Sequence, residues 1–389
     1  MEIGIFQLLP APEALSDREV IEQALWEVDR AEAGGFDSVW IAEHHLSCFG
    51  LVGTPSVYAA AVAQRTRRVQ IGYAIAVLPL HHPLRLAEEI AWVDNLSHGR
   101  LLVGVGPGFS AYELGAFGVP LEERHERLQE ALAILRGALS RETFSHAGRF
   151  WTVPPVTLRP RPFRGAAPPL LRAASSLESL REAAQDGTPV MLGLKPAADV
   201  AACVAAYRAR RSELGLPAAE IDREVAEIRV LRRVCLAASD DEALADARRA
   251  LRWEAATARR VHGGGQGAAA GAGAPAAGAP APGAPAPGAA AGAVARLADG
   301  SEAAELPDVA GGCVGTPRTV LRELLALRAL GLRHVIAWLN FGDLPYVKVR
   351  RSMELLGREV IPALAAGDLI PAPAPAPAPP QSRPSAIGA

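Results

Sequence analysis

The sequence predicts an α/β protein built as a closed (βα)8 barrel, with a hairpin insertion and a low-complexity insertion late in the barrel. Apolar, β-branched runs alternate with helix-like segments along most of the 389 residues, as repeated βα units around a parallel sheet require. The strand-like runs number eight, enough to close a barrel rather than leave an open sheet. Several are apolar at every position, as strands covered on both faces are.

The elements follow in order. Residues 2–9 read as a strand, and Ser16 and Asp17 open a helix that runs to Gly34 and Gly35. Residues 38–42 form the second strand, and Thr54 and Pro55 start a helix through Arg65. Residues 69–78 are the third strand, followed by a helix over 84–96. Residues 101–105 are the fourth, ending in the glycine-rich turn 104–108. A long amphipathic helix over 120–139 carries Leu121, Leu128, Leu132 and Leu135 on one face. Residues 144–158 read as a hairpin, and 160–169 as a proline-rich connection. Strands then resume at 170–174, 189–194, 228–237 and 334–339, with a helix over 320–330 before the last, opened by Thr316 and Pro317. Residues 263–292 contain only Gly, Ala, Pro and one Gln, so they lack the apolar area to fold and are expected to be disordered. The barrel domain is placed at 1–370, and the Ala/Pro tail, 371–389, is expected to be extended and disordered.

Composition narrows the function classes. Net charge is −2, which gives no basic field for nucleic acid or anionic lipid. No apolar run reaches the roughly 20 residues a bilayer span needs, and the start of the chain lacks the basic and apolar regions of a secretory signal. Cys48, Cys203, Cys235 and Cys313 are scattered without metal-ligand spacing and suit a reducing compartment. A cytoplasmic protein without a metal site is expected.

The richest local signal is Glu43, His44 and His45, placed where the buried run Val39, Trp40, Ile41, Ala42 stops. Carboxyl ends of parallel strands are where α/β folds bind ligands, and two imidazoles beside a carboxylate move protons near neutral pH. A histidine at a strand end also serves simply to cap or pack; the adjacent pair favours a site. His81 and His82 are the other doublet, too little for a metal centre. The turn Gly104, Val105, Gly106, Pro107, Gly108 lets backbone approach a planar ring or phosphate, or is a plain tight turn. Ser175, Ser176 and Ser179 sit where the fifth strand turns into a helix, as a phosphate site or as an ordinary N-cap.

Taken together, Gly35 to Trp40, Glu43 to His45, Phe49-Gly50, Val77 to Pro79, His82-Pro83, Leu96 to Arg100, Phe117-Gly118 and Gly315 to Pro317 make the chain resemble the bacterial luciferase-like flavin monooxygenases. The match runs from residue 2 to about 260 and from about 312 to 365. The resemblance implies a TIM-like barrel that binds reduced FMN at the strand carboxyl ends, with O2 and a small aldehyde- or ketone-like substrate. It implies proton transfer by His44, oriented by Glu43 or His45. A non-proline cis peptide is expected at Ala74–Ile75. Phe6, Ala74, Gly106 and Trp338 are expected to line the ring pocket, with Gly106 leaving room over the ring. The flavin phosphate is expected at Ser176 and Ser179, with Ser175 nearby.

Two departures stand out. Pro107 and His125 occupy positions where the family often has arginine, and losing guanidinium forks weakens phosphate binding. Arg124 is placed to compensate. A separate reductase is the implied donor of reduced flavin, and apolar helices early in the chain are the expected homodimer face. Segment 263–292 carries none of the charged and aromatic side chains of a luciferase lid, so light emission is not expected. Two other readings stay open: a deazaflavin-dependent hydride-transfer enzyme, and a non-catalytic flavin-binding partner subunit.

Overall fold

The structure is a computed structural model, which describes residues 1–262 and 312–366. The insertion at 263–292 and the tail at 371–389 lie outside the described residues.

Eight parallel strands close on themselves. They are β1 (Glu2–Gln7), β2 (Ser38–Ile41), β3 (Gln70–Val77), β4 (Leu101–Gly106), β7 (Leu170–Ala174), β8 (Val190–Leu192), β9 (Arg229–Leu236) and β11 (His334–Trp338). Each pairs with the next, β8 pairs with β9, and β11 pairs with β1, which completes the ring. All eight expected strands are present, most of them shorter by one or two residues at the ends. A further short strand, β10 (Gly312–Gly315), adds in parallel to the last four residues of β9; its glycine-bounded run was too short to read from sequence. The expected hairpin is β5 (Phe144–Ala147) with β6 (Thr152–Val156).

Helices cover the outside of the ring. Between β1 and β2 runs α1 (Asp17–Ala33), whose Ser16 and Glu19 close a reciprocal capping box. The next two crossovers are α2 (Pro55–Arg65) and α3 (Pro83–Leu96), each with proline in its first turn. After β4 come the short α4 (Ala111–Ala116) and the long α5 (Arg124–Ser140). The remaining helices are α6 (Leu177–Asp186), α7 (Ala197–Glu213), α8 (Ala218–Ala226), α9 (Asp240–His262), α10 (Pro317–Ala329), α11 (Tyr346–Leu355) and α12 (Ile361–Ala366).

Strand alternation sorts the side chains into two cores. Ile3, Ile5, Val39, Ile41, Ile71, Val103 and Val230 point outward to the helices. Phe6, Trp40, Leu102, Leu171, Met191, Ile336 and Trp338 fill the barrel. Trp40 fits inside because both neighbouring strands carry glycine. A Cβ on Gly72 would lie 2.2 Å from the indole, and one on Gly4 would lie 2.9 Å from it.

One helix departs from the outer ring. Ala247, Ala250, Leu251 and Ala258 of α9 belong to the inner core with Phe6, Trp338 and Phe341. Arg260, near its end, reaches Glu13 at 3.4 Å and Cys48 Sγ at 3.2 Å in the loops after β1 and β2. So α9 leaves β9 and crosses the carboxyl end of the barrel toward β1 and β2.

Candidate active site at the barrel mouth

The run Val39 to Ala42 is buried at every position, and the chain leaves the sheet at Ala42 with titratable groups at its next three positions. Alternation then separates those groups. Glu43 and His45 fall on one side and His44 on the other.

Glu43 is a buried hub. His45 Nε2 donates to its Oε1 at 2.9 Å, His81 Nε2 lies 2.9 and 3.0 Å from its two oxygens, and the Val77 amide donates to Oε2 at 2.8 Å. Burial pushes this carboxyl up. The bonds from His45 and His81, the charge of His81 and the Val77 amide outweigh it and bring the pKa down to about 2. For His81, burial works against the cation, but the hydrogen bond and charge of Glu43 prevail and its pKa is raised. Glu43, His45 and His81 thus form a charge-assisted clamp that joins the end of β2 to the end of β3.

His44 is held from elsewhere. Its Nδ1 lies 3.0 Å from Glu113 Oε1, and the same oxygen accepts the His45 amide at 3.2 Å. Glu113 is buried on α4, whose N-cap is Ser110; the Ser110 hydroxyl accepts the Glu113 amide at 3.2 Å. The glycine-rich turn after β4 therefore delivers an acidic helix to the histidine. Tyr112 OH donates to the Leu46 carbonyl at 3.3 Å and adds a second tie between the two loops. With its hydrogen fixed on Nδ1 by a carboxylate, the His44 ring has Nε2 as its basic nitrogen, the arrangement of an oriented general base. Phe49 and Phe109 pack edge-on to the ring at 4.9 and 5.9 Å. The expectation that Glu43 or His45 orients His44 is corrected here: strand parity turns them to the opposite side, and Glu113 takes that position. Sequence reading missed Glu113 because Ser110-x-x-Glu113 has the spacing of an ordinary capping box. It considered His81 only as a metal ligand.

Beside both imidazoles, between the loops after β1 and β2, lies a cavity of about 520 Å3 bordered by Ala11, Ser47, Cys48 and Gly50.

The other expected residues lie around the mouth. The Ala74–Ile75 peptide is cis, and both residues are partly exposed within β3, where its register against β4 shifts. Gly106 faces Ile75: a Cβ there would lie 2.2 Å from Ile75 Cδ1, so the room expected over a ring at Gly106 is taken by the tip of that side chain. Gly104 lies deeper, where a Cβ would meet the Tyr73 carbonyl at 2.2 Å and Met191 Sδ at 2.5 Å. Phe6 packs edge-on to Trp338 with centroids 5.4 Å apart.

Ser176 is the N-cap of α6, with its hydroxyl accepting the Ser179 amide and the Ser179 hydroxyl accepting the Ser176 amide, both at 3.1 Å. The Ser175 carbonyl accepts from Lys195 Nζ at 2.9 Å. Around this helix start stand Arg172, ion-paired to Glu182, and the first turn of α5. There His125 has its pKa lowered, by burial first and then by the charges of Arg124 and Arg172, against the pull of Glu182 and Glu178. The remaining helix-start amides of α6 and the Arg124 guanidinium are a donor set that fits a phosphate, whereas Arg172 is already engaged by Glu182. Next to this helix start, on β3, β4 and β7, the small residues Ala74, Gly106 and Ala173 form a floor in which Gly106 is buried and Ala74 and Ala173 are partly exposed. These residues fit a flavin mononucleotide.

The comparisons with known proteins agree with this architecture. A family model described as luciferase-like monooxygenase matches residues 1–334. The oxygenase component of the flavin-dependent trigonelline monooxygenase of Acinetobacter baylyi is 31% identical over 199 residues, 48% of this chain and 55% of that protein. The chain spans about half the length of the curated relatives it matches. Among solved structures, monooxygenase RslO1 from Streptomyces bottropensis superposes with a TM-score of 0.75 at 25% identity, covering 94% of this chain and 100% of that one. Two others share the fold. One is the oxygenating constituent of 3,6-diketocamphane monooxygenase from Pseudomonas putida in complex with FMN (TM-score 0.70, 20% identity, 95% and 99% coverage). The second is an F420-dependent secondary alcohol dehydrogenase (0.69, 18%, 93% and 98%). The chain belongs to the luciferase-like monooxygenase family.

Proposed function

We propose that this chain is the oxygenase component of a two-component flavin-dependent monooxygenase, taking reduced FMN from a separate reductase and oxidising a small aldehyde- or ketone-like substrate with O2. The observation that carries this reading is the His44–Glu113 pair at the end of β2, a carboxylate-oriented imidazole at the mouth of a luciferase-like barrel. When bound, reduced FMN supplies the electrons that activate oxygen. The protein supplies the rest. Arg124, His125 and the start of α6, with Ser176 and Ser179 and with Ser175 beside them, hold the phosphate. Ala74, Ile75 and Gly106, with Gly104 beneath them, form the floor for the ring. His44 holds or releases a proton at Nε2, with Glu113 fixing the ring. Glu43, His45 and His81 hold the loop that carries His44, and α9 excludes water from part of the mouth.

The chain works in the cytoplasm as a homodimer, paired through the outer faces of α2 and α3, where Val57 and Trp92 are exposed. Among the described residues no helix is long and apolar enough to cross a membrane. A second reading is hydride transfer with a deazaflavin. It is favoured by Pro107 and His125, which stand where arginines would grip the FMN phosphate, and by the F420-dependent fold neighbour.

Anaerobic titration with reduced FMN and with reduced F420, followed by turnover in 18O2 with an external flavin reductase, tests both readings. Tight binding of reduced FMN and one 18O atom in the product are expected. Binding of F420 alone, with no label in the product, overturns the oxygenase assignment in favour of the second reading. Binding of neither overturns both.

A further inference from the structure

The inside of the barrel mouth is divided. On β3, β4 and β7 the inward residues near the mouth are small: Ala74, Gly106 and Ala173. On β9, β11 and β1 they are large: Arg233, Trp338 and Phe6. Arg233 and Trp338 are register partners on adjacent parallel strands, so both side chains enter the barrel at the same level. The guanidinium carbon of Arg233 lies 5.0 Å from the Trp338 ring centroid and 6.0 Å from that of Phe341.

Glu254 comes down from α9 and pairs with Arg233 Nη2. Its residue exposure is 6%, and that of Trp338 is 4%. Three buried polar atoms at this point have no hydrogen-bond partner among the described residues: Arg233 Nε, Trp338 Nε1 and Glu254 Oε2. Native structures rarely leave such atoms unsatisfied, so a cluster of three beside a candidate active site calls for a bonding partner from solvent or from a ligand. Two are N–H donors from neighbouring strands. The guanidinium charge is already compensated by Glu254, so the place accepts a neutral oxygen well. A carboxylate would bring a second anion beside a buried one, which costs more than its bond to Arg233 returns.

We propose that Arg233, positioned by Glu254, and Trp338 form the subsite that receives a neutral carbonyl oxygen of the substrate, and that Glu254 excludes carboxylates from it. The inference rests on the monooxygenase reading and names the specificity determinants of that same site. The substrate body lies against Phe6 and Trp338, across the barrel from the small-residue floor. Glu254 touches neither substrate nor cofactor; it acts through Arg233.

The test uses the full chain with 15N-labelled tryptophan and no flavin, with 2-decanone, decanal and decanoate as probes. The Trp338 indole N–H signal, identified by its loss in Trp338→Phe, is expected to shift saturably with the ketone and the aldehyde, and not with decanoate. In Glu254→Gln the uncompensated guanidinium is expected to bind decanoate at least about tenfold more tightly than the native chain does, about 1.4 kcal/mol. The charge-neutral double variant Arg233→Met, Glu254→Gln keeps the site foldable and is expected to abolish the carbonyl shift. An unmoved indole signal with every probe overturns the subsite, as does decanoate binding as tightly as 2-decanone to the native chain. Because the readout needs no flavin, a carbonyl shift without reduced-FMN binding upholds the subsite and sinks the oxygenase reading. Labelled turnover without a carbonyl shift does the reverse.

Discussion

Replacing Glu43 by glutamine tests whether the buried hub at the end of β2 is an anchor. The carboxylate accepts from His45, His81 and the Val77 amide at 2.8–3.0 Å in a site closed to solvent. Its ordinary pKa of 4.5 falls to about 2 in the fold. At about 1.4 kcal/mol per pH unit, that gap corresponds to about 3 kcal/mol of stability at neutral pH. Glutamine also turns an N–H toward a donor, which leaves a buried polar group unmatched and adds to the loss. Because the folded value lies below the unfolded one, the increment is complete above about pH 4.5 and is lost as pH falls toward 2. The raised pKa of His81 sets the other boundary, since the cation that pairs with Glu43 is lost as pH rises through it. Urea unfolding followed by circular dichroism, native chain against Glu43→Gln, should give a difference of about 3 kcal/mol at pH 7, narrowing to about 2 kcal/mol at pH 3.5. A difference below about 0.5 kcal/mol at pH 7, or one that does not change with acid, would refute the clamp.

Three further outcomes are expected. His44→Ala should lower oxygen-dependent turnover by about 10²–10⁴, and Glu113→Gln by roughly tenfold through loss of ring orientation; steady-state rates with reduced FMN supplied decide this, and unchanged turnover in His44→Ala removes the proposed base. Glu27 is buried between β1 and α1, where Gln7 Nε2 and Asn340 Nδ2 donate to its Oε2 at 2.6 and 3.1 Å, and burial raises its pKa to about 8 against those bonds. Its contribution is present below about pH 4.5 and lost as pH rises to about 8, so Glu27→Gln should gain on the native chain between pH 5.5 and 8.5 in urea midpoints, and parallel curves would refute the buried neutral acid. His125→Arg should tighten reduced FMN about five- to tenfold by restoring a forked phosphate contact, measured by anaerobic calorimetry; an unchanged affinity would place the phosphate elsewhere.

What was legible in the sequence follows the reach of each signal. Strands buried on both faces are local apolar runs, so all eight were readable, and so was the helix start at Ser16 and Asp17. The histidine pair was readable because strand and site share one segment. Glu113 was not, since its partner lies 69 residues away and its own neighbourhood carries an ordinary capping pattern. Arg233 hid for a related reason. A charged residue inside a strand reads as a solvated face until the partner helix is known, and Glu254 lies on α9, whose path across the mouth depends on tertiary packing rather than on its own periodicity. The role of Glu43 was misread because adjacency in sequence was taken for contact, whereas strand geometry sends neighbours apart.

That separation has a consequence for how the site works. The residue proposed to move protons is tied to α4, and its neighbours are tied to β3, so two different βα units fix one loop from opposite sides. Binding at the small-residue floor touches β3 and β4, the same strands that carry Ile75 and the turn into α4. A ligand there bears directly on the element that orients His44. The far half of the mouth is governed by α9 through Glu254, Ala250 and Leu251. Polar selection of the substrate is assigned there to Arg233 on the barrel wall and to Glu254 on α9. Substitutions at Glu254 should change which substrate is taken, whereas substitutions at Glu113 should change how fast any substrate reacts. Kinetics on both variants with the same pair of carbonyl compounds would separate these roles: Glu254→Gln should alter the ratio of kcat/KM between them, and Glu113→Gln should lower both values by the same factor. If Glu113→Gln changed the ratio as much as Glu254→Gln did, the division of the mouth into a proton-handling half and a substrate-selecting half would be wrong.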